Sequence, residues 1–180
     1  FRSKSGIGAA DLLGSVGAQP VIYDGNENLD KEAVLHKTNG TYTPEIWAGA
    51  FPEGEMESLD LVVLSPGVPT DLPLVKSFYE KGLPVWSEVE LAYRTGKGEV
   101  LAITGTNGKT TTTALLGKIM GDARESVFVV GNIGTAYTSK SLEMREDSVT
   151  VAEISSFQLE TIEQFRPRVS AILNITEDHL

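Results

Sequence analysis

The sequence predicts an α/β protein built mostly of parallel sheets. Short apolar runs such as Leu61-Val62-Val63-Leu64 and Val100-Leu101-Ala102-Ile103 recur along the chain. Between them stand stretches with helical spacing. Strands that alternate with helices are joined by crossovers, which lay the strands parallel and the helices on the sheet faces. Glycine-containing turns also stand where an apolar run gives way to a helix, most clearly at Gly105 and Gly108.

The spacing of Ile7, Ala10 and Leu13 predicts a helix over 5–16, which Gly17 ends. A strand over 20–24 follows and closes on Asp24. Over 39–57 the aromatics Tyr42, Trp47 and Phe51 show no period, and no regular element is predicted there. A strand over 61–65 stops at Pro66-Gly67, then come a helix over 73–81, a short strand over 84–86 and a helix over 88–94. Thr95-Gly96-Lys97-Gly98 reads as a linker, dividing the chain into 1–96 and 97–180. Beyond it the pattern predicts strand 99–104, helix 111–120, strand 126–130, a helix near 135–143, and strands 149–154 and 169–175. The first part is expected to be a Rossmann-like domain and the second a partial P-loop α/β domain.

Composition narrows the function classes. Hydrophobic residues make up 41% of the 180, enough for a packed core. A net charge of -10 argues against non-specific nucleic-acid binding, which relies on basic surface. It leaves room for an anionic ligand held by backbone dipoles. The chain has no cysteine, so disulfides and thiolate metal sites are excluded. No apolar run reaches membrane-spanning length and no signal peptide is visible, so no membrane partner and a cytoplasmic location are expected. The chain opens at Phe1 almost directly on a glycine loop and stops at Leu180 among polar residues, so a piece of a longer protein is expected.

Gly105-Thr106-Asn107-Gly108-Lys109-Thr110-Thr111 joins an apolar strand to a helix. Glycines let backbone N–H groups turn towards an anion, and the helix N-terminus adds its partial positive charge. Lys109 can reach terminal phosphates, and the Thr110 hydroxyl can ligate Mg2+. ATP and Mg2+ are the expected ligands. The loop is the short Gly-x-x-Gly-Lys-Thr form, since Ile103 stands where the longer phosphate-loop pattern has glycine.

Other polar clusters fall at the carboxyl ends of the neighbouring strands, where open parallel sheets bind ligands. Glu153 closes an apolar strand and suits a magnesium ligand, or the capping of the next turn. His179 is a second candidate ligand, or a structural imidazole. Asn132 sits between Gly131 and Gly134, as a substrate contact or a plain turn. Ser155 and Gln158 follow Glu153, and Gln158 reads equally as an exposed helix residue. In the first half, Ser5-Gly6, Asp24 and the turn Ser65-Pro66-Gly67-Val68 follow the logic of a nucleotide-binding half, or of ordinary turns. The complete Gly-x-Gly-x-x-Gly is absent, which disfavours a dinucleotide-dependent oxidoreductase.

Gly105 to Thr112, Gly131-Asn132-Ile133-Gly134, Glu153-Ile154-Ser155-Ser156-Phe157-Gln158-Leu159-Glu160 and Leu173-Asn174-Ile175-Thr176-Glu177-Asp178-His179-Leu180 resemble the Mur ligases in order and spacing. The Ser-Ser-Phe-Gln-Leu-Glu string points to the branch that adds D-glutamate. The resemblance implies a three-domain, monomeric enzyme of peptidoglycan precursor synthesis. Its implied substrates are UDP-N-acetylmuramoyl-L-alanine, ATP and D-glutamate. It further implies that Asp24 and Ser65 to Val68 contact the uracil end. Lys109 and Thr110 would hold ATP phosphates and one Mg2+, while Glu153 and His179 serve magnesium. Asn132, Ser155 and Gln158 would contact the muramoyl-alanine part. Arg2-Ser3-Lys4 departs from the glycine expected there, which bears on diphosphate contacts near Ser5. The glutamate-binding domain would lie beyond Leu180, so ligation is expected of the full-length protein only. A sibling ligase adding another amino acid and a non-catalytic ATP-binding module remain alternatives.

Overall fold

The computed structural model describes residues 4–132 and 134–177, with nothing said of the side chains of Lys4 and Ser5. The first half runs α1 (Lys4–Ser15), β1 (Val21–Asp24), α2 (Lys31–Leu35), β2 (Glu45–Ala48), β3 (Val62–Leu64), α3 (Pro73–Glu80), β4 (Val85–Ser87) and α4 (Glu88–Thr95). The second runs β5 (Glu99–Thr104), α5 (Lys109–Ala123), β6 (Val127–Gly131), β7 (Val149–Glu153), α6 (Ser156–Leu159) and β8 (Val169–Ile172). Every strand pair is parallel, as the alternation predicts.

The first half holds two separate pairs, β1 with β2 and β3 with β4. Strand β2 lies in the stretch where no element is expected. It has only four residues, bounded by Pro44 and Gly49, too few for a period to show. Tertiary contacts fix it: Ile46 joins Ala10, Ile22 and Val34 in one core cluster. Phe51 sits edge-on to Tyr23, Trp47 and Phe78. Such aromatic pairs add to what burial alone supplies.

The second half is a four-stranded parallel sheet in the order β6-β7-β5-β8. Strand β7 is central and buried along its whole length. Its register sets Glu153 opposite Ile103 of β5 on one side and Gly131 of β6 on the other. Strand β8 pairs with the far side of β5, Thr104 opposite Ile172. All carboxyl ends therefore reach one rim.

The helix expected near 135–143 is instead two 3-10 turns, Tyr137–Ser139 and Ser141–Glu143. The Ser139 hydroxyl donates to the Ala136 carbonyl at 2.7 Å, and Ser141 Oγ donates to Thr138 O at 3.3 Å. Short hydroxyl side chains that bond nearby carbonyls compete with the helical ladder. Tyr137 and Met144 are pulled into the core beneath the sheet.

Helix α4 packs in two directions. Val89 and Ala92 share a core cluster with Val100, Val130, Ala152 and Ile154 of the second half. Leu91 packs with Ala9 and Leu12 of α1. The segment 95–98 is pinned as well: Thr95 Oγ1 bonds Leu91 O at 2.9 Å and Ser141 Oγ at 3.0 Å, and Glu99 N–H donates to Ser148 O.

A buried carboxylate fastens this junction. Glu90 is fully buried and accepts the N–H groups of Glu163, Gln164 and Phe165, each at 2.9 Å. It also accepts Arg94 Nε at 2.6 Å, while the Arg94 guanidinium lies 3.9 Å over the Trp86 ring and reaches Glu163. Burial alone pushes the Glu90 carboxyl up. The three backbone donors and Arg94 outweigh it and hold the group below its ordinary range. A folded-state value below the unfolded one means that the bonded carboxylate stabilises the fold at neutral pH. That contribution falls away as pH drops below about 4.3 and through the folded value. We expect Glu90→Ala to lower stability by about 3 kcal/mol or more, because three N–H groups and Arg94 lose their acceptor. Urea unfolding at a series of pH values should show the gap between wild type and Glu90→Gln narrowing below about pH 4.

Candidate active site

The loop after β5 ends at Gly108, which caps α5 with φ 84°, a left-handed conformation that residues with a Cβ rarely adopt. Among the described residues no side chain caps this helix, so its first-turn N–H groups face outward at the strand rim. Lys109 folds back along the loop, its Nζ donating to Gly105 O at 2.7 Å and Thr106 O at 3.0 Å.

The segment after β8 grips the outside of this loop. Asn174 O accepts the Thr106 N–H at 3.1 Å. Asn174 Oδ1 accepts the Asn107 N–H at 2.8 Å, and its Nδ2 donates to Asn107 O at 3.0 Å. Thr106 Oγ1 donates to Thr176 O at 3.2 Å, and the Thr176 N–H meets the same hydroxyl at 3.0 Å. From sequence Asn174 and Thr176 are members of the polar run after the last strand with no individual role, because their partners lie 67 and 70 residues away.

Glu153 stands across the cleft from the loop. It is 2% exposed, and its Oε1 has no hydrogen-bond partner among the described residues. A buried carboxylate oxygen without a donor carries a desolvation penalty that a cation relieves. Gly131 makes this placement feasible, since a Cβ at Gly131 would overlap the Glu153 carbonyl. Asn132 N–H then donates to Glu153 O at 3.0 Å, tying the turn after β6 to the end of β7. Thr106, Asn107, Gly108, Lys109, Thr110, Thr111, Asn132 and Glu153 line one open cleft of about 290 Å³. The structure thus gathers the phosphate loop from Thr106 to Thr111 with Glu153 and Asn132.

Among the described residues, no three His, Cys, Asp or Glu side chains cluster as a metal site. Glu153 and Thr110 each bring a side-chain oxygen to this cleft, and such a sparse set would suit a Mg2+ ion that shares its shell with phosphate and water.

The remaining expected residues lie elsewhere. Ser155 and Gln158 form a capping box on α6: Gln158 Oε1 accepts the Ser155 N–H at 2.9 Å and Ser155 Oγ at 3.1 Å. Gln158 is buried rather than exposed. It lines a small cavity with Ser65, Pro66, Ser87 and Thr161, so α6 and the turn after β3 meet there. Gly67 completes that turn, with Val68 N–H donating to Ser65 O. Asp24 ends β1, where its Oδ1 accepts the Asn26 N–H at 2.9 Å. His179 and the Ser5 side chain lie outside the described residues.

Comparison with known proteins agrees with this geometry. Residues 103–180 match the Mur ligase middle domain. The chain is 60% identical over 176 residues to a UDP-N-acetylmuramoylalanine--D-glutamate ligase of Lachnospira eligens, covering 98% of this chain and 39% of the relative. It is 56% identical to the enzyme of that name from Lachnoclostridium phytofermentans, with the same coverage. The chain thus spans about two fifths of the length of these curated relatives. Among solved structures, a UDP-N-acetylmuramate:L-alanyl-gamma-D-glutamyl-meso-diaminopimelate ligase from Neisseria meningitides superposes with a TM-score of 0.58 at 17% identity. That likeness covers 96% of this chain and 58% of the other, and it bears on the fold. The phosphate loop, the buried Glu153 and these relatives agree: over residues 103–180 the chain matches the middle domain of the Mur ligases, and it is similar to ligases of that family along 98% of its length.

Proposed function

We propose that the full-length protein is an ATP-dependent ligase that joins D-glutamate to UDP-N-acetylmuramoyl-L-alanine through an acyl phosphate. The observation that carries the reading is the buried Glu153 oxygen, without a partner among the described residues, facing the phosphate loop across one cleft. A carboxylate held there suits a magnesium-bound nucleotide, and the relatives' names favour a ligase over a module that only holds one. The names of the relatives supply the substrate class.

In this reading the first-turn N–H groups of α5 and Lys109 hold the ATP phosphates. Lys109 leaves one of its loop carbonyls to meet a phosphate oxygen. Thr110, Glu153 and, by sequence position, His179 hold Mg2+, which when bound neutralises phosphate charge and fixes the terminal phosphate in line. Asn132, Ser155 and Gln158 serve the muramoyl-alanine part, the last two by way of the α6 cap. The turn Ser65 to Val68, Asp24 and Ser5 serve the UDP part. The substrate carboxylate attacks the terminal phosphorus and ADP departs. The amine of D-glutamate then displaces phosphate from the acyl carbon, losing a proton as the amide forms. Catalysis here is positioning and charge neutralisation. Residues 1–96 act as the UDP-substrate domain and 97–180 as the ATP-binding domain of a monomeric, cytoplasmic enzyme. No helix among the described residues is long and apolar enough to cross a membrane.

Phosphate release by the full-length protein, given UDP-N-acetylmuramoyl-L-alanine, ATP and Mg2+, should require D-glutamate. Lys109→Ala should lower kcat/KM at least about a hundredfold. Glu153→Gln should lower kcat on a similar scale and raise the Mg2+ concentration needed for half-maximal rate. Release that requires a different amino acid would move the specificity to a sibling ligase, and none with any amino acid would leave an ATP-binding module. The isolated 180-residue chain is expected to form no product, and any ligation by it would contradict this assignment of parts.

A further inference from the structure

We infer that Asn174 is a positioning residue for the phosphate loop, and that it decides which loop N–H groups are available to an anion. The inference rests on the reading of the cleft as an ATP site. Asn174 engages two consecutive peptides of the loop, the Thr106 N–H with its backbone carbonyl and both polar groups of Asn107 with its side-chain amide. Thr176, two residues on, adds a two-way exchange with the Thr106 hydroxyl. Thr106 and Asn107 therefore have their N–H groups turned away from the cleft and satisfied by the segment after β8. The donors left for phosphate are those at the start of α5, from Gly108 onwards, with Lys109 beside them.

Stability gives no reason for this arrangement. Asn174, Thr176 and Asn107 are exposed, so water can satisfy the same groups and the net gain to folding is small. Holding a loop in one conformation before its ligand arrives does have an effect on binding, because ordering it afterwards reduces affinity. Lys109 bonds the inner carbonyls of Gly105 and Thr106 while Asn174 bonds the outer face at 106 and 107. The short loop is thus gripped from both sides, and only the inner grip is released when Lys109 turns to a phosphate.

The test uses the full-length protein, with ATP and Mg2+ as the probe and titration calorimetry and steady-state rates as readouts. Asn174→Ala should weaken ATP binding about tenfold or more, the loss of two hydrogen bonds of loop order. KM for ATP should rise in step, KM for the UDP substrate should stay within twofold, and the melting temperature without nucleotide should hold. Thr106→Val keeps the shape and removes the hydroxyl exchange with Thr176; it should weaken ATP binding about threefold and stands in if Asn174→Ala does not fold. A folded Asn174→Ala or Thr106→Val with wild-type ATP affinity overturns the inference, as does an equal rise in KM for every substrate. Wild-type protein that binds no ATP overturns the inference and the ATP reading together, whereas binding without ligation removes only the proposed reaction.

Discussion

The parallel register of β7 between β5 and β6 is the constraint on which the rest of the site depends. Because every strand runs the same way, every carboxyl end opens on one rim, and the loops that follow must meet there. Strand β7 is buried on both faces and on both edges, so its side chains are Val, Thr and Ala until the last position. At that position stands Glu153, opposite Ile103 and Gly131. A one-residue slip of β7 would swing the carboxylate to the other face of the sheet. The Gly131 backbone, close against the Glu153 carbonyl, holds that register from the β6 side. The phosphate loop and the carboxylate thus share a cleft because two strand pairings agree.

The second dependence is on α4. One helix supplies Leu91 to the first half and Val89 and Ala92 to the second. Its buried carboxylate Glu90 adds a directional fastening to this non-directional packing, since three successive N–H groups at 163–165 converge on it. Those residues lead into β8 through Arg168, whose N–H donates to Val100 O. The chain that Glu90 anchors is therefore the chain that later reaches Asn174 and grips the phosphate loop. The packing between the halves and the hold on the loop after β5 thus run through one short stretch of sequence.

Much of this was legible in the residues. Mostly apolar strands of five or more residues, the glycine loop and the Pro-started α3 carry local signals, and the structure places them within a few residues of expectation. Glu153 was legible because a carboxylate closing an otherwise apolar strand is chemically out of place. What escaped was set by tertiary contact. The four-residue β2 is made by its pairing with β1, and the 3-10 turns at 137–143 by hydroxyls that bond nearby carbonyls. Glu90 looks like any acid in the first turn of a helix, since its three backbone donors lie 73 to 75 positions away. Gln158, equally a surface residue by spacing, is buried by the box it forms with Ser155.

The short phosphate loop also explains why a distant strand takes part in it. A longer loop would place glycine at 103, but Ile103 is 4% exposed and paired with Glu153 on one side and Ala171 on the other. A glycine there would leave a cavity in the sheet core and weaken the strand that sets the rim. The strand therefore continues to Thr104, and the loop has only residues 105–108 in which to turn. A loop that short has few peptides with which to bond itself. Its outer polar groups are left to water or to a neighbouring segment, and the nearest backbone leaves β8, which pairs with β5 up to Thr104 opposite Ile172. Leu173 N–H continues that ladder to Thr104 O, and Asn174 is the next residue. The grip of Asn174 on the loop is in this sense an extension of the sheet, with a side-chain amide standing in for one more rung.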